Sequence, residues 1–219
     1  MSLFRSLRQA FGSEARAIRM PRELAAPPSG VAIRLRPLSM QDYEEWNEVR
    51  WRNRDWLAPW ESGDPTQGPG LSFNAWLQRQ RRDENEGVGA LFVIEYQMRI
   101  VGQISLGAIS YGSMRTAVAG YWVDQRYAGH AIAPMALSLL ADWALHDPDG
   151  PRLHRIEVAM LPCNERSRRV VQKLQAHHEG IRAKYMYVDG RWRDHDTYSL
   201  LAEDAPEGFA SRLNERSAD

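Results

Sequence analysis

The chain has 219 residues and a mass of 25.1 kDa, enough for one domain with short extensions. Its 28 lysines and arginines balance 28 aspartates and glutamates, so a net charge of +0 argues against a globally basic nucleic-acid or membrane-surface binder. Cys163 is the only cysteine, which excludes an intramolecular disulfide, argues against a thiolate metal cluster and suits a reducing cytoplasm, while no apolar run approaches the ~20 residues of a membrane span.

In chain order, Leu3, Phe4, Leu7, Ala10 and Phe11 form an apolar stripe that Arg5 and Arg8 interrupt, so no continuous secretory core is expected. A short docking helix and a disordered or surface-binding arm both fit. Residues 21–30, PRELAAPPSG, read as a linker. Val31, Ile33 and Leu35 alternate as in a strand that Pro37 ends. Ser39 with Asp42 predicts the start of a helix reaching about Arg52, with Met40, Tyr43, Trp46 and Val49 on one face. A loop from Asn53 through a Gly/Pro-rich run to Gly70 precedes a second helix from Ser72 to about Glu84.

Three strands are then expected, Val88–Tyr96, Arg99–Ile109 and Thr116–Val123. After a short polar turn, Met135, Leu139 and Trp143 recur every fourth residue beside Ala136, Leu140 and Ala144, the period of a packed helix, with Pro134 in its first turn where a missing N–H costs little. Arg155–Met160 reads as a strand, Asn164–Leu174 as a helix, and Gly180–Val188 and Arg191–Leu201 as a hairpin turning at Asp189-Gly190. Pro206 opens a possible last helix with Phe209 and Leu213 on its apolar side. An antiparallel run followed by a βαβ unit predicts an α+β fold with a mixed, mostly antiparallel sheet flanked by helices. The expected organisation is an extension over 1–30, a folded domain over 31–204 and a tail over 205–219.

Several chemistries are excluded. No G-x-G-x-x-G follows a strand, and Gly63 and Gly68 have P-loop spacing but Pro69 and Gly70 stand where Lys and Ser/Thr belong. Gly102 to Gly107 has one residue too many before Ser105 for a hydrolase elbow. The six histidines include no helical pair at ligand spacing, so no metal site is expected.

What remains is a strand that turns through small residues into a helix, where bare backbone N–H groups at the positive end of a helix dipole suit a phosphate. That turn, Arg126-Tyr-Ala-Gly129-His-Ala131, fits the R/Q-x-x-G-x-G/A loop of the GNAT acetyltransferases. The helix Asn164-Glu-Arg-Ser167-Arg-Arg-Val170-Val-Gln-Lys-Leu174 resembles the same family's N-x-x-S-x-x-V-x-x-K-L segment. At the front, Leu35-Arg36-Pro37, Asn53-Arg54 and Trp56 to Glu61, and near the end Asp189-Gly190-Arg-Trp192-Arg-Asp194-His195, resemble its RimJ/RimL branch.

The resemblance implies a cytoplasmic acetyl-CoA-dependent N-acetyltransferase acting on the N-terminal α-amine of a ribosomal or other protein, without nucleic-acid or membrane partners; the oligomeric state stays open. The alternatives are a small-molecule amine as acceptor, or a module that binds acyl-CoA or the ribosome without turnover. It implies that Val123, Arg126, Ala128, Gly129, His130, Ala131, Asn164 and Ser167 meet the cofactor, the Val123 N–H at the thioester carbonyl from a bulged strand. Glu157, on an apolar strand, is the candidate base, with an ion pair to Arg155 as the plainer alternative. Ser167 is the candidate acid, because the helix lacks the tyrosine that many members carry there. Trp56, Trp60 and Glu61 are expected on the loop over the acceptor, with Glu61 a second candidate base. Gln175-Ala176 replaces the branch's Gly-Phe, which removes the glycine wanted in a left-handed helix cap.

Overall fold

The computed structural model describes residues 17–66 and 70–218. The N-terminal stripe from Leu3 to Phe11 and part of the Gly/Pro-rich loop lie outside them. The strands are β1 (Leu24–Ala25), β2 (Ile33–Pro37), β3 (Ala90–Tyr96), β4 (Arg99–Ser110), β5 (Thr116–Val123), β6 (Arg155–Met160), β7 (His177–Val188) and β8 (Arg191–Leu201). They form one sheet in the order β1-β2-β3-β4-β5-β6-β8-β7, in which β5 and β6 are parallel and every other pair is antiparallel. The helices are α1 (Tyr43–Arg52), α2 (Arg54–Leu57), α3 (Phe73–Asn85), α4 (Ile132–Leu145), α5 (Glu165–Lys173) and α6 (Phe209–Ala218).

Local chemistry explains the elements. The continuous apolar run of β3 is buried from Ala90 to Glu95, as a central strand covered on both faces must be. The carboxylate of Asp42 accepts the Ser39 N–H at 2.7 Å and hydroxyl at 2.9 Å, fixing a 3₁₀ turn over Met40–Asp42 ahead of α1. Met40 and Tyr43 remain exposed, so the inward face of α1 starts only at Trp46, which stacks on Trp76 of α3. The β7–β8 turn holds Asp189 at φ 51° and Gly190 at φ 74°, the geometry expected of Asp-Gly.

Helix α4 is buried on nearly every side, beyond the single face that its four-residue spacing predicts. The sheet covers one side and α6 the other. Asp142 accepts the Phe209 N–H at 2.5 Å and the Ala210 N–H at 3.0 Å, capping α6, and Phe209 and Ala210 join the main core. The segment read as a tail therefore packs as part of the domain. At the other end Leu24 pairs with Leu35 and Ala25 with Arg34, and Ile18 is buried in the core, so the segment read as a linker carries the edge strand.

The altered cap of α5 is absorbed locally. Gln175 takes the left-handed conformation at φ 56°, its N–H bonds the Gln172 carbonyl at 3.0 Å, and the Ala176 N–H bonds the Val171 carbonyl at 3.0 Å. These two bonds make a complete Schellman cap with glutamine in the glycine position. Arg212 of α6 donates to the Leu174 carbonyl and stacks over Phe209 at 4.9 Å, filling the helix end where the branch has its phenylalanine.

Candidate active site

The sheet opens into a fork at its centre. β5 and β6 pair from Thr116 with Arg155 to Ala119 with Val158; beyond that, β5 runs on to Val123 and β6 to Met160 without pairing to each other. On its other side β5 stays in unbroken register with β4 from Val118 to Val123. Gly102 permits this, since a Cβ there would collide with the Trp122 carbonyl. The bulge expected near Val123 is therefore absent; the irregularity lies on β4, between Gly107 and Ser110. The Asp124 N–H bonds the Val101 carbonyl at 2.7 Å, which sets the alternation of the ladder. Backbone groups of Tyr121 and Val123 consequently point away from β4, into the fork, and the Val123 N–H reaches it without a bulge.

The turn after β5 has its amides sorted into two groups. Those of Arg126, Tyr127, Ala128 and His130 bond within the turn. Those of Gly129, Ala131, Ile132 and Ala133 have no acceptor among the described residues. Gly129 at φ 87° and Ala131 at φ 56° present this second group at the start of α4, and a Cβ on Gly129 would meet open space. Such a row of free donors at a helix N-terminus binds phosphate. The Arg126 side chain points elsewhere, onto buried Asp124 at 3.0 Å.

Asp124 and Asn53 lock the turn to α1. Arg52 reaches Asp124 at 2.9 Å, and Asn53 takes the Gln125 N–H on its Oδ1 at 2.9 Å while donating to the Val49 carbonyl at 2.8 Å. Burial alone would raise the Asp124 carboxyl, but hydrogen bonds from Arg126, Arg52 and Asn53 outweigh it and hold the group below the ordinary carboxylate range. The Asn53-Arg54 resemblance was the only sequence signal for this anchor.

The candidate catalytic groups lie on opposite faces. Glu157 pairs with Val118 of β5 and Ser199 of β8, which puts it on the face where Arg50 of α1 stacks over Trp122 at 5.2 Å. The ion pair to Arg155 named as the plainer alternative is present, and the surroundings are cationic rather than apolar: Arg155 lies at 3.3 Å from one carboxylate oxygen and Arg182 at 2.7 Å from the other. Arg155 also pairs with Glu179, whose carboxyl it holds below the usual range. Ser167 lies on the other face, where α4 and α5 pack. Asn164 caps α5 by accepting the Ser167 N–H at 3.1 Å, leaving its side-chain amide as a donor.

The Ser167 hydroxyl is 2.8 Å from that of Tyr121. Burial pushes the Tyr121 phenol well above its ordinary range, with the Ser167 hydrogen bond opposing in part. No tyrosine stands in the helix, as expected, but β5 supplies one. Only the 46-residue separation being closed by the fold reveals it.

Trp56, Trp60 and Glu61 do not sit on an open loop. Trp56 is in α2, Trp60 ends a 3₁₀ turn over Ala58–Trp60, and Ser62 bridges to Val188. Arg166 of α5 stacks over Trp56 at 4.2 Å, and Glu61 is ion-paired with Arg50. Between them α1, α5 and the β7–β8 hairpin close one side of the fork. His195 is buried in the sheet, its ring nitrogen near the Arg193 carbonyl at 3.0 Å. No group of His, Cys, Asp and Glu that could hold a metal occurs among the described residues.

Comparison with known proteins gives a consistent result. The Acetyltransferase (GNAT) domain model matches residues 32–177. The chain is 31% identical over 180 residues to the probable N-acetyltransferase YjcK of Bacillus subtilis, covering 80% of this chain and 97% of that one. It is 25% identical over 170 residues to the ribosomal protein uS5-alanine N-acetyltransferase of Escherichia coli, covering 75% and 86%. Its fold superposes on Mycobacterium smegmatis RimJ in complex with CoA-disulfide with a TM-score of 0.78 at 32% identity, over 88% of this chain and 92% of that one.

Proposed function

The chain belongs to the GNAT family of acetyl-CoA-dependent acetyltransferases, and from that premise we propose that its acceptor is the N-terminal α-amine of a protein, a ribosomal protein being the first candidate. The row of free amides at the fork supports the cofactor half of this reading, and the named relatives the acceptor half. The unpaired N–H groups of Gly129, Ala131, Ile132 and Ala133 fit the diphosphate of acetyl-CoA, and the side-chain amide of Asn164, left as a donor at the start of α5, would bond the cofactor's arm. The relatives named for acetylating a ribosomal protein's alanine support a protein N-terminus over a free small amine.

Acetyl-CoA supplies the acetyl group as a thioester. The Val123 N–H, aimed into the fork, is placed to donate to an oxygen that gains charge. Glu157, on the face carrying Trp122, takes the proton of the incoming amine, directly or through water, while Arg155 and Arg182 fix its orientation. Ser167, on the opposite face, donates toward the departing sulfur. Tyr121, its hydroxyl 2.8 Å from that of Ser167, positions the serine for that donation. Two faces thus separate base from acid.

Incubating the protein with acetyl-CoA and synthetic N-terminal peptides of ribosomal proteins, with mass spectrometry as readout, tests the reading. Acetylation at the α-amine is expected. Transfer to lysine side chains or to small amines alone would overturn it.

A further inference from the structure

Next to the fork lies a groove whose charge the catalytic groups do not use. One wall is the Pro162-Cys163 turn that leaves β6; the other is Lys184 with the Arg191–Asp194 stretch of β8. Met160 pairs with Asp196, so the turn passes alongside Asp194 and Arg193, at the end where β5 and β6 have separated. Ser62 bridges to Val188 and the Gly63 N–H bonds the Tyr187 carbonyl at 2.9 Å, which ties the Trp60-Glu61 segment to the same hairpin. The groove and the mouth of the fork therefore share one rim.

The strand is deformed at this point. Between the pairs Arg182–His195 and Met186–Arg193, three residues of β7 stand opposite Asp194 alone. Lys184 holds φ 49°, and Asp194 accepts its N–H at 2.9 Å, stapling the bulge in place. A bulge re-aims side chains out of the regular pleat. Arg182, one step before it, turns to Glu157, whereas Lys184 lines the groove.

Its charge is unbalanced. Most arginines around the fork have a carboxylate, such as Arg50 with Glu61, Arg52 with Asp124 and Arg168 with Asp196. Lys184, Arg191 and Arg193 have none within ion-pair distance among the described residues. Trp192 stands between the two arginines, 51% exposed and packed only edge-on to Tyr187. Three cations against the one carboxylate of Asp194 leave the groove positive in a chain whose net charge is +0.

We propose that this groove receives the residues that follow the acceptor's N-terminal amine, and that it selects a polypeptide carrying carboxylates there. The inference rests on the α-amine reading above and names the class of protein it acts on. A polypeptide is favoured over RNA because the groove shares its rim with the fork, so the chain behind an amine held in the fork runs into it.

The test separates binding from transfer. Short peptides alike except for Asp/Glu, Gln or Lys at the positions after the first residue are measured in two forms. N-acetylated peptides report binding by calorimetry, and free-amine peptides report transfer. The acidic acetylated peptide is expected to bind about tenfold more tightly than the neutral one at low salt, with the difference shrinking as salt rises. The double reversal Lys184→Glu, Arg193→Glu is expected to invert the order, and the milder Lys184→Gln, Arg193→Gln to flatten it, with unchanged melting curves as the folding control. Equal binding of all peptides, no binding of any, an acid preference untouched by both variants, or equal displacement by a single-stranded RNA oligonucleotide each overturns the groove assignment. Acid-selective binding without transfer to any α-amine keeps the groove and sinks the α-amine reading instead.

Discussion

The roles proposed for Tyr121 and Ser167 are coupled, and the coupling has a measurable form. Burial pushes the Tyr121 phenol up and its hydroxyl lies 2.8 Å from that of Ser167, so its proposed effect on the reaction runs through the serine. Tyr121→Phe is expected to lower kcat roughly tenfold with little change in the KM for acetyl-CoA, and Ser167→Ala to lower it somewhat more. Residues acting as a unit are non-additive, so the double variant should be no slower than Ser167→Ala alone. Multiplying effects would show two independent roles. Glu157→Gln should reduce kcat by about a hundredfold, because the amide takes up no proton and can accept from only one of Arg155 and Arg182. As candidates, Glu157 and Ser167 come from motif resemblance alone. Tyr121 was not legible in the sequence, since a tyrosine on an apolar strand looks like packing until the register places it across from α5. The same holds for the Glu157 surroundings: its neighbours in sequence are Ile156 and Val158, but its contact with Arg182 comes from a strand two positions away in the sheet.

Among the elements, α5 shows how a local rule can be broken and still satisfied. The Schellman cap forms around Gln175, where a left-handed residue with a Cβ costs about 1–2 kcal/mol. Gln175→Gly is therefore expected to stabilise the protein by roughly 0.5–1 kcal/mol, after allowing for glycine's larger entropy loss. For a domain of this size that is a rise in Tm of about 1–4 °C. A fall in Tm would mean that the glutamine side chain contributes contacts at this helix end. The elements from Thr116 to Met160 follow their sequence patterns closely, because apolar periodicity and capping act within a few residues. The segment Asn53 to Glu61 does not. Its Pro and Trp residues read as loop, yet contacts with α5 and the hairpin hold it as short helical turns.

For the molecule as a whole, acid stability follows from the charges that tie its N-terminal strands together. Glu95 accepts from Arg34 at 2.7 Å and Arg36 at 2.8 Å, and Arg36 grips Asp42 through two bonds of 2.9 Å. Burial would raise both carboxyls, but these hydrogen bonds outweigh it and hold them below their ordinary values. A carboxyl depressed in the folded state adds stability that is complete above its unfolded pKa and is lost as pH falls through the folded one. The urea midpoint should thus stay level down to about pH 5 and fall steeply below about pH 4. Glu95→Gln should lower it at neutral pH and flatten the acid limb. Asp142, which burial pushes upward despite its bonds to α6, contributes the opposite slope and should partly offset the loss.

By itself the sequence determined the order of the main strands and helices, the mixed sheet and the turn between β5 and α4, since strand alternation, helical period, Asp-Gly geometry and a glycine at the turn are short-range physics. It also placed the family through motifs spread from Leu35 to His195. Tertiary structure alone decided three things: that β5 and β6 part after Ala119, that Glu157 and Ser167 stand on opposite faces of that fork, and that three cations of the last hairpin line one groove with a single carboxylate, Asp194. Each depends on which strands become neighbours and in what register, and a shift of one residue would send every one of these side chains to the other face.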